Sequence, residues 1–255
     1  MTYCLGIRVA EGLVCLADGR VTSGNLVTNA RKATLHGPQD HSIVVMTSGL
    51  RSLREKQLSY FDRYQQQQAP QGFASMLDAV IAYGKCLREV EAEDRSFLER
   101  SDLNFNLHSI VGGCLPGDRI PTLYLVYPEG NWIEVDNRTP YLSIGSIAYG
   151  KPILDRALTY ETTLANALKL AYLSFDSTRY SSADVGYPVD MLTYSGEEAC
   201  WRHAQYDYDQ LSEQRQWWNR EITALAARMP HGPWVEGLLA DQSKARLALV
   251  GEDSS

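Results

Sequence analysis

Strand signals and helix signals come along this chain in blocks, and that order constrains the fold more than any other feature. Thr2 to Val9 alternates, turns at Glu11-Gly12 and resumes as Leu13 to Ala17, a hairpin whose second strand ends at Asp18-Gly19. Arg31 to Leu35 and Ser42 to Thr47 read as two more short strands, and the four together predict an antiparallel N-terminal sheet. Helical periodicity then spans Leu50 to Gln68 and Phe73 to Arg100, with Gln65–Gln68 and Ala69-Pro70 marking the break between them. Strands return at Asn106 to Gly113, Thr122 to Tyr127, Trp132 to Val135 and Tyr141 to Gly145. Helices are predicted near Tyr149 to Leu158 and Thr162 to Tyr180, a late strand over Pro188 to Tyr194, and a last long helix over Asp209 to Met229. Blocks of strands followed by blocks of helices favour a layered α+β domain over alternating βαβ units. With no internal repeat, linker or break in composition, residues 1–250 read as one domain, followed by a short acidic tail, 251–255, expected to be disordered.

Composition narrows the partners. The 255 residues are 44 % hydrophobic and 22 % charged, with a formal net charge of −7. That balance, with no basic stripe to oppose it, argues against nucleic acid. No apolar run reaches the length of a membrane span, and the amino terminus lacks a secretory layout, so a cytoplasmic protein without membrane contact is expected. Five scattered cysteines without a C-x-x-C pair read as reduced, mostly buried thiols. Cys200-x-x-His203 has no second half, so no metal site is expected.

A few residues carry chemistry. Thr2 stands one residue from the start, and removal of Met1 would place a hydroxyl and a free α-amine on the same residue. An α-amine titrates near about 7.7–8.0, so such a threonine can be nucleophile and base at once. The hairpin brings Asp18 to the end of the strand beside Thr2; alone, Asp18-Gly19-Arg20 is also an ordinary capped turn. If the strand holding Lys32 returns beside Asp18, a lysine–carboxylate pair faces Thr2, the cation favouring an ionised hydroxyl; otherwise Lys32 is a solvated surface residue. Gly49, after Thr47-Ser48, is either a plain strand-ending glycine or a bare N–H able to meet a tetrahedral oxyanion.

Thr2, the stretch Ala17-Asp18-Gly19-Arg20-Val21-Thr22-Ser23-Gly24, Lys32 and Ser48-Gly49 resemble the N-terminal half of a proteasome β-subunit. Met1-Thr2-Tyr3-Cys4 and Tyr149-Gly150-Lys151-Pro152-Ile153-Leu154-Asp155-Arg156 look like the bacterial ancestral β-subunit (Anbu) branch. The resemblance covers about residues 2 to 195 in element order and implies a four-layer αββα sandwich of the N-terminal nucleophile hydrolase type. It implies Thr2 as nucleophile, Lys32 as the residue tuning it, Asp18 as the lysine's partner and Gly49 as oxyanion donor. Thr22 and Ser48 fall where the family binds an extended substrate, and Ser146 falls near a serine beside the terminal amine. The interval from Asp18 to Lys32 is shorter than in typical relatives, with Arg31 as the competing assignment. Near Ser181-Ser182-Ala183-Asp184-Val185-Gly186 the family pattern fits less well, and Asp184 and Ser182 are candidates there.

The expected activity is a threonine-type peptidase or amide hydrolase in a self-assembled ring or helical ring-like homo-oligomer. It acts on peptide or protein, needs no metal or organic cofactor, and leaves open whether an ATPase partner exists. Exposure of the nucleophile is expected to depend on removal of Met1 alone. The other readings are a self-assembling scaffold with little turnover and a hydrolase of small amides. Trp217-Trp218 is either an assembly contact or an aromatic pair partly buried against its own domain.

Overall fold

The computed structural model describes residues 2–23, 25–38, 42–68 and 72–239. Met1, Gly24, the Ala69-Pro70 break and the acidic tail lie outside the described residues. The chain divides into two compact units, Met1–Leu211 and Ser212–Ser255.

The first unit holds two five-stranded antiparallel sheets. One has the order β10 (Tyr141–Gly145), β1 (Tyr3–Val9), β2 (Gly12–Asp18), β11 (Val189–Ser195), β12 (Cys200–Tyr206); the other has β5 (Ala33–His36), β6 (Ile43–Ser48), β7 (His108–Gly113), β8 (Thr122–Val126), β9 (Trp132–Glu134). Between the sheets lies a core of Cys4, Cys15, Ala17, Val44, Met46, Ile110 and Leu123. Outside the first sheet, Tyr3, Leu5, Ile7, Val14 and Leu16 pack on α3 (Lys151–Ala157) and α4 (Leu164–Ser181) through Leu154, Ala171 and Phe175. Outside the second, Val45, Val111 and Tyr124 pack on α1 (Arg51–Gln67) and α2 (Met76–Glu99) through Leu53, Phe61, Met76 and Tyr83. The result is the αββα sandwich that the resemblance implies.

β1 and β2 are buried along their whole length because both faces are covered. Side chains of period two divide between the helical layer and the gap between the sheets. Gly6 keeps that gap narrow: a Cβ there would lie 3.0 Å from Leu123. Caps start the longer helices. Ser75 accepts a hydrogen bond from the Asp78 N–H at the head of α2, and Thr163 does the same for the Asn166 N–H at α4.

The expected single N-terminal sheet does not form. β1 and β2 belong to one sheet and β5 and β6 to the other, because each pair alternates and can face the shared core from either side. Between them lies a hairpin that the periodicity missed, β3 (Arg20–Ser23) with β4 (Leu26–Asn29), whose second strand is wholly exposed. β12 was missed as well, its mixed Cys-Trp-Arg-His-Ala-Gln-Tyr run being an edge strand with one neighbour. The first unit ends in a 3-10 turn, Asp209–Leu211, and the second holds α5 (Ser212–Arg228) and α6 (Pro233–Leu239). Trp217 is about half exposed there.

Candidate active site

The chain start is held by three segments that are distant in sequence. β1 pairs with β2 so that Cys4 faces Ala17, and with β10 so that Tyr3 faces Gly145. The Tyr3 N–H donates to Asp18 Oδ1 at 2.8 Å, and the Ser146 N–H donates to the Thr2 carbonyl at 2.7 Å. Gly145 has φ +89°, and a Cβ there would run into that same carbonyl. Only glycine allows so close an approach at this backbone angle. Thr2 is buried as a result, with its backbone fixed from both sides.

Lys32 completes the arrangement. Its Nζ lies 2.6 Å from Asp18 Oδ1 and 2.5 Å from the Arg20 carbonyl oxygen, with both charged side chains buried. The ammonium and the N–H following Thr2 therefore share one carboxylate oxygen. The two charges are no farther from the Thr2–Tyr3 link than those two bonds laid end to end. Lys32 precedes β5 instead of lying in a strand next to β2; it reaches Asp18 from the opposite sheet. The Thr47 N–H fixes its backbone, donating to the Lys32 carbonyl at 3.2 Å. Arg31, the competing assignment, is exposed.

Asp18 has further support. The Gly186 N–H donates to Oδ2 at 3.3 Å. Complete burial pushes the Asp18 carboxyl up from its ordinary range, while the Lys32 ammonium and the N–H donors from Tyr3 and Gly186 push it back. Nearby, burial pushes the Cys4 thiol well up, so it is not a competing nucleophile.

The segment carrying Ser182 and Asp184 leads to Gly186. Ser182 ends α4 as its C-cap, and Arg20 Nη1 donates to the Ala183 carbonyl at 2.9 Å. Asp184 is half-buried in the same turn. This turn presents the Gly186 N–H to the Asp18 carboxylate.

Gly49 follows β6, exposed, with φ +146°, and a Cβ there would strike the Asn106 carbonyl. Glycine is thus required by the local backbone itself. Ser48 faces His108 across β6 and β7. The end of β6 lies opposite the start of β1, where Cys4 Sγ makes a weak bond to the Thr47 carbonyl at 3.8 Å. Thr22 pairs with Val27 in the β3–β4 hairpin, and its buried hydroxyl makes no hydrogen bond among the described residues. The structure thus brings Thr2, Asp18, Lys32 and Ser146 into one bonded group. It places Gly49 and Ser48 at the strand end across from it, and Thr22, Ser182 and Asp184 on flanking segments. Sequence reasoning missed Gly145, Gly186 and the Arg20 carbonyl; Gly145 alone had a local signal, as the glycine closing an apolar strand.

Two layers of sheet between two of helix, with a buried lysine–carboxylate pair at the chain start, define a proteasome-β-like N-terminal nucleophile hydrolase fold. No family model matches the chain. Among curated proteins it is similar to proteasome subunit beta 1 of Pyrobaculum calidifontis, 25 % identical over 195 residues, which are 76 % of this chain and 90 % of that protein. Among solved structures it is similar to the Anbu complex of Pseudomonas aeruginosa in its helical assembly. That match has 32 % identity and a TM-score of 0.82, covering 91 % of this chain and 98 % of the other. Anbu (ancestral beta-subunit) from Yersinia bercovieri gives 30 % identity and a TM-score of 0.78, covering 90 % and 98 %. The chain belongs to the Anbu family of proteasome-β-like proteins.

Proposed function

We infer that this protein is a threonine-type peptidase or amide hydrolase whose nucleophile is the Thr2 hydroxyl once Met1 has been removed. The reading rests on one observation: a single buried oxygen of Asp18 holds both the Lys32 ammonium and the N–H that follows Thr2. An ammonium so held is a fixed positive charge close to the Thr2–Tyr3 link, and its carboxylate keeps it from being an unpaired buried cation.

In the reaction, Thr2 Oγ1 attacks the substrate carbonyl carbon and its proton passes to the Thr2 α-amine, directly or through water. Negative charge developing on the carbonyl oxygen meets the Gly49 N–H. The C–N bond then breaks, the leaving amine takes the proton, and water hydrolyses the resulting ester. Ser146 holds Thr2 from the β10 side, and the turn that carries Ser182 and Asp184 steadies Asp18 through the Gly186 N–H. Thr22 and Ser48 offer main-chain edges to an extended peptide, a form of strand addition. The helical assembly of the similar Pseudomonas aeruginosa protein supports a self-assembled ring-like or helical homo-oligomer here.

The test joins intact mass and amino-terminal sequencing to labelling with an electrophile that closes a ring on a neighbouring hydroxyl and amine. The expected result is a chain that begins at Thr2 and carries one label, which Thr2→Ala abolishes. A chain that begins at Thr2 and stays unmodified would sink the reading.

A further inference from the structure

Away from this site, on the helix-facing side of β5, three side chains form a relay that the reaction above does not use. The Thr34 Oγ1 lies 2.7 Å from His36 Nε2, and His36 Nδ1 lies 2.7 Å from Asp62 Oδ1 on α1. Thr34 and His36 are two apart on one strand, so they share a face. Asp62 comes from the helix packed on that face. His36 is buried and Phe61 meets its ring edge-on at 6.2 Å, which fixes its plane. A carboxylate at Nδ1 selects the tautomer with its proton there. Nε2 is then the acceptor, and the Thr34 hydroxyl is the donor. The same hydroxyl has a second acceptor in the Val45 carbonyl at 3.5 Å, much the longer contact. Nucleophile, base and orienting carboxylate are thus in the order and spacing of a hydroxyl-activating triad.

The backbone supplies a further element. β5 is the terminal strand of its sheet, with β6 as its neighbour. Thr47 N–H bonds the Lys32 carbonyl, and the register pairs Ala33 with Met46 and Thr34 with Val45. Hydrogen-bonded pairs alternate along an antiparallel ladder, so Thr34 turns its N–H toward β6 and Leu35 turns its N–H toward the open edge. The N–H of the residue after the nucleophile is a donor that some hydrolases use for the oxyanion.

We propose that Thr34, His36 and Asp62 form a second acyl-transfer site, independent of Thr2, that takes small activated esters at the edge of β5. Thr34 Oγ1 bonds to the acyl carbon while the carbon–oxygen bond to the leaving group breaks, and the hydroxyl proton goes to His36 Nε2 and from there to the departing oxygen, which leaves as the alcohol. Water then attacks the acyl-threonine, its proton passing to His36 Nε2. The carboxylic acid leaves and Thr34 recovers a hydrogen.

The test uses p-nitrophenyl acetate on the full-length Thr2→Ala protein, so that the first site contributes nothing. Release of p-nitrophenolate is followed with time, and the acetylated peptide is located by fragmentation. A burst with the acetyl group on Thr34 is expected, lost in the isosteric Thr34→Val. His36→Asn should lower the acetylation rate by about 10²-fold, in the range of general-base contributions. Asp62→Asn, at a half-exposed carboxylate where the fold is least disturbed, should lower it about tenfold or more. Absence of a burst, acetylation elsewhere than Thr34, or an undiminished rate in Asp62→Asn overturns the proposal.

Discussion

Two lysine–aspartate pairs in the first unit have almost the same geometry and opposite surroundings. Lys32 and Asp18 lie 2.6 Å apart with side chains 7 % and 0 % exposed; Lys151 and Asp155 lie 2.7 Å apart with side chains 47 % and 44 % exposed. Distance therefore cannot tell them apart. In the buried pair neither charge can turn to water, so each depends on the other and on the N–H and carbonyl groups around them. In the exposed pair water replaces either partner at small cost. The buried pair is therefore a device the fold must maintain, whereas the pair on α3 decorates a helix.

Removing one partner of the buried pair should have the largest effect. Lys32→Met leaves the Asp18 carboxylate buried without its cation, and loss of a buried partner costs about 3–5 kcal/mol. The cost should depend on pH in a definite sense. Burial already raises Asp18, and without the ammonium its folded pKa rises further. The folded variant then holds a proton that the unfolded chain, with a pKa of about 3.9, has released, so its stability falls as pH rises. Denaturant melts at pH 5 and pH 8 should show the deficit against wild type growing at pH 8. An equal deficit at both values would mean that lost packing, not charge, is responsible. Labelling of Thr2 should disappear in the same variant.

Gly186→Ala should be milder and probes the neutral support of the same carboxylate. A Cβ at Gly186 would lie 2.5 Å from Arg20 Nε and 2.6 Å from its Cζ. The guanidinium can yield, but it is tied to the Ala183 carbonyl, so either that bond or the Gly186 N–H bond to Asp18 must lengthen. Overpacking of this kind costs about 1–3 kcal/mol. Arg20→Gln combined with Gly186→Ala should restore part of the loss, since the shorter side chain removes the collision. Losses that simply add would show that the two residues do not meet.

How much of this was legible in the sequence differs between the pieces. The strand Tyr141–Gly145 and the bodies of α1 and α2 follow from periodicity because one repeat dominates each segment. The Lys32–Asp18 pair was foreseen, but by the wrong route. The sequence reading put Lys32 on a strand adjoining β2, whereas it crosses from the other sheet. An alternating strand shows that it has two faces and not which sheet it joins. The β3–β4 hairpin was invisible because its outer strand is solvated and exerts no hydrophobic pattern. Gly145 and Gly186 matter for their contacts with Thr2 and with Asp18 and Arg20, partners more than a hundred residues away. The approach at Gly186 leaves no local trace, and Gly145 shows only as the glycine that closes an apolar strand.

The exposed pair offers the smallest effect and the cleanest sign. Lys151 Nζ bonds both carboxylate oxygens of Asp155 and the Tyr141 hydroxyl. Those bonds push the Lys151 ammonium up to about 12 and hold Asp155 below its ordinary range. A depressed carboxyl contributes stability above its unfolded value of about 3.9 and loses it as pH falls through the folded value. A raised lysine contributes below its unfolded value of about 10.4 and loses it as pH rises toward 12. The pair is therefore at full strength between those limits, where solvent still keeps its worth below about 1 kcal/mol. Lys151→Met should lower stability by no more than that at pH 7, and the deficit should begin to shrink as pH falls below about 3.9 and vanish only once pH has passed through the lower folded value of Asp155. A deficit at pH 7 as large as that of Lys32→Met would show that burial does not separate the two pairs, and the contrast drawn between them would fail.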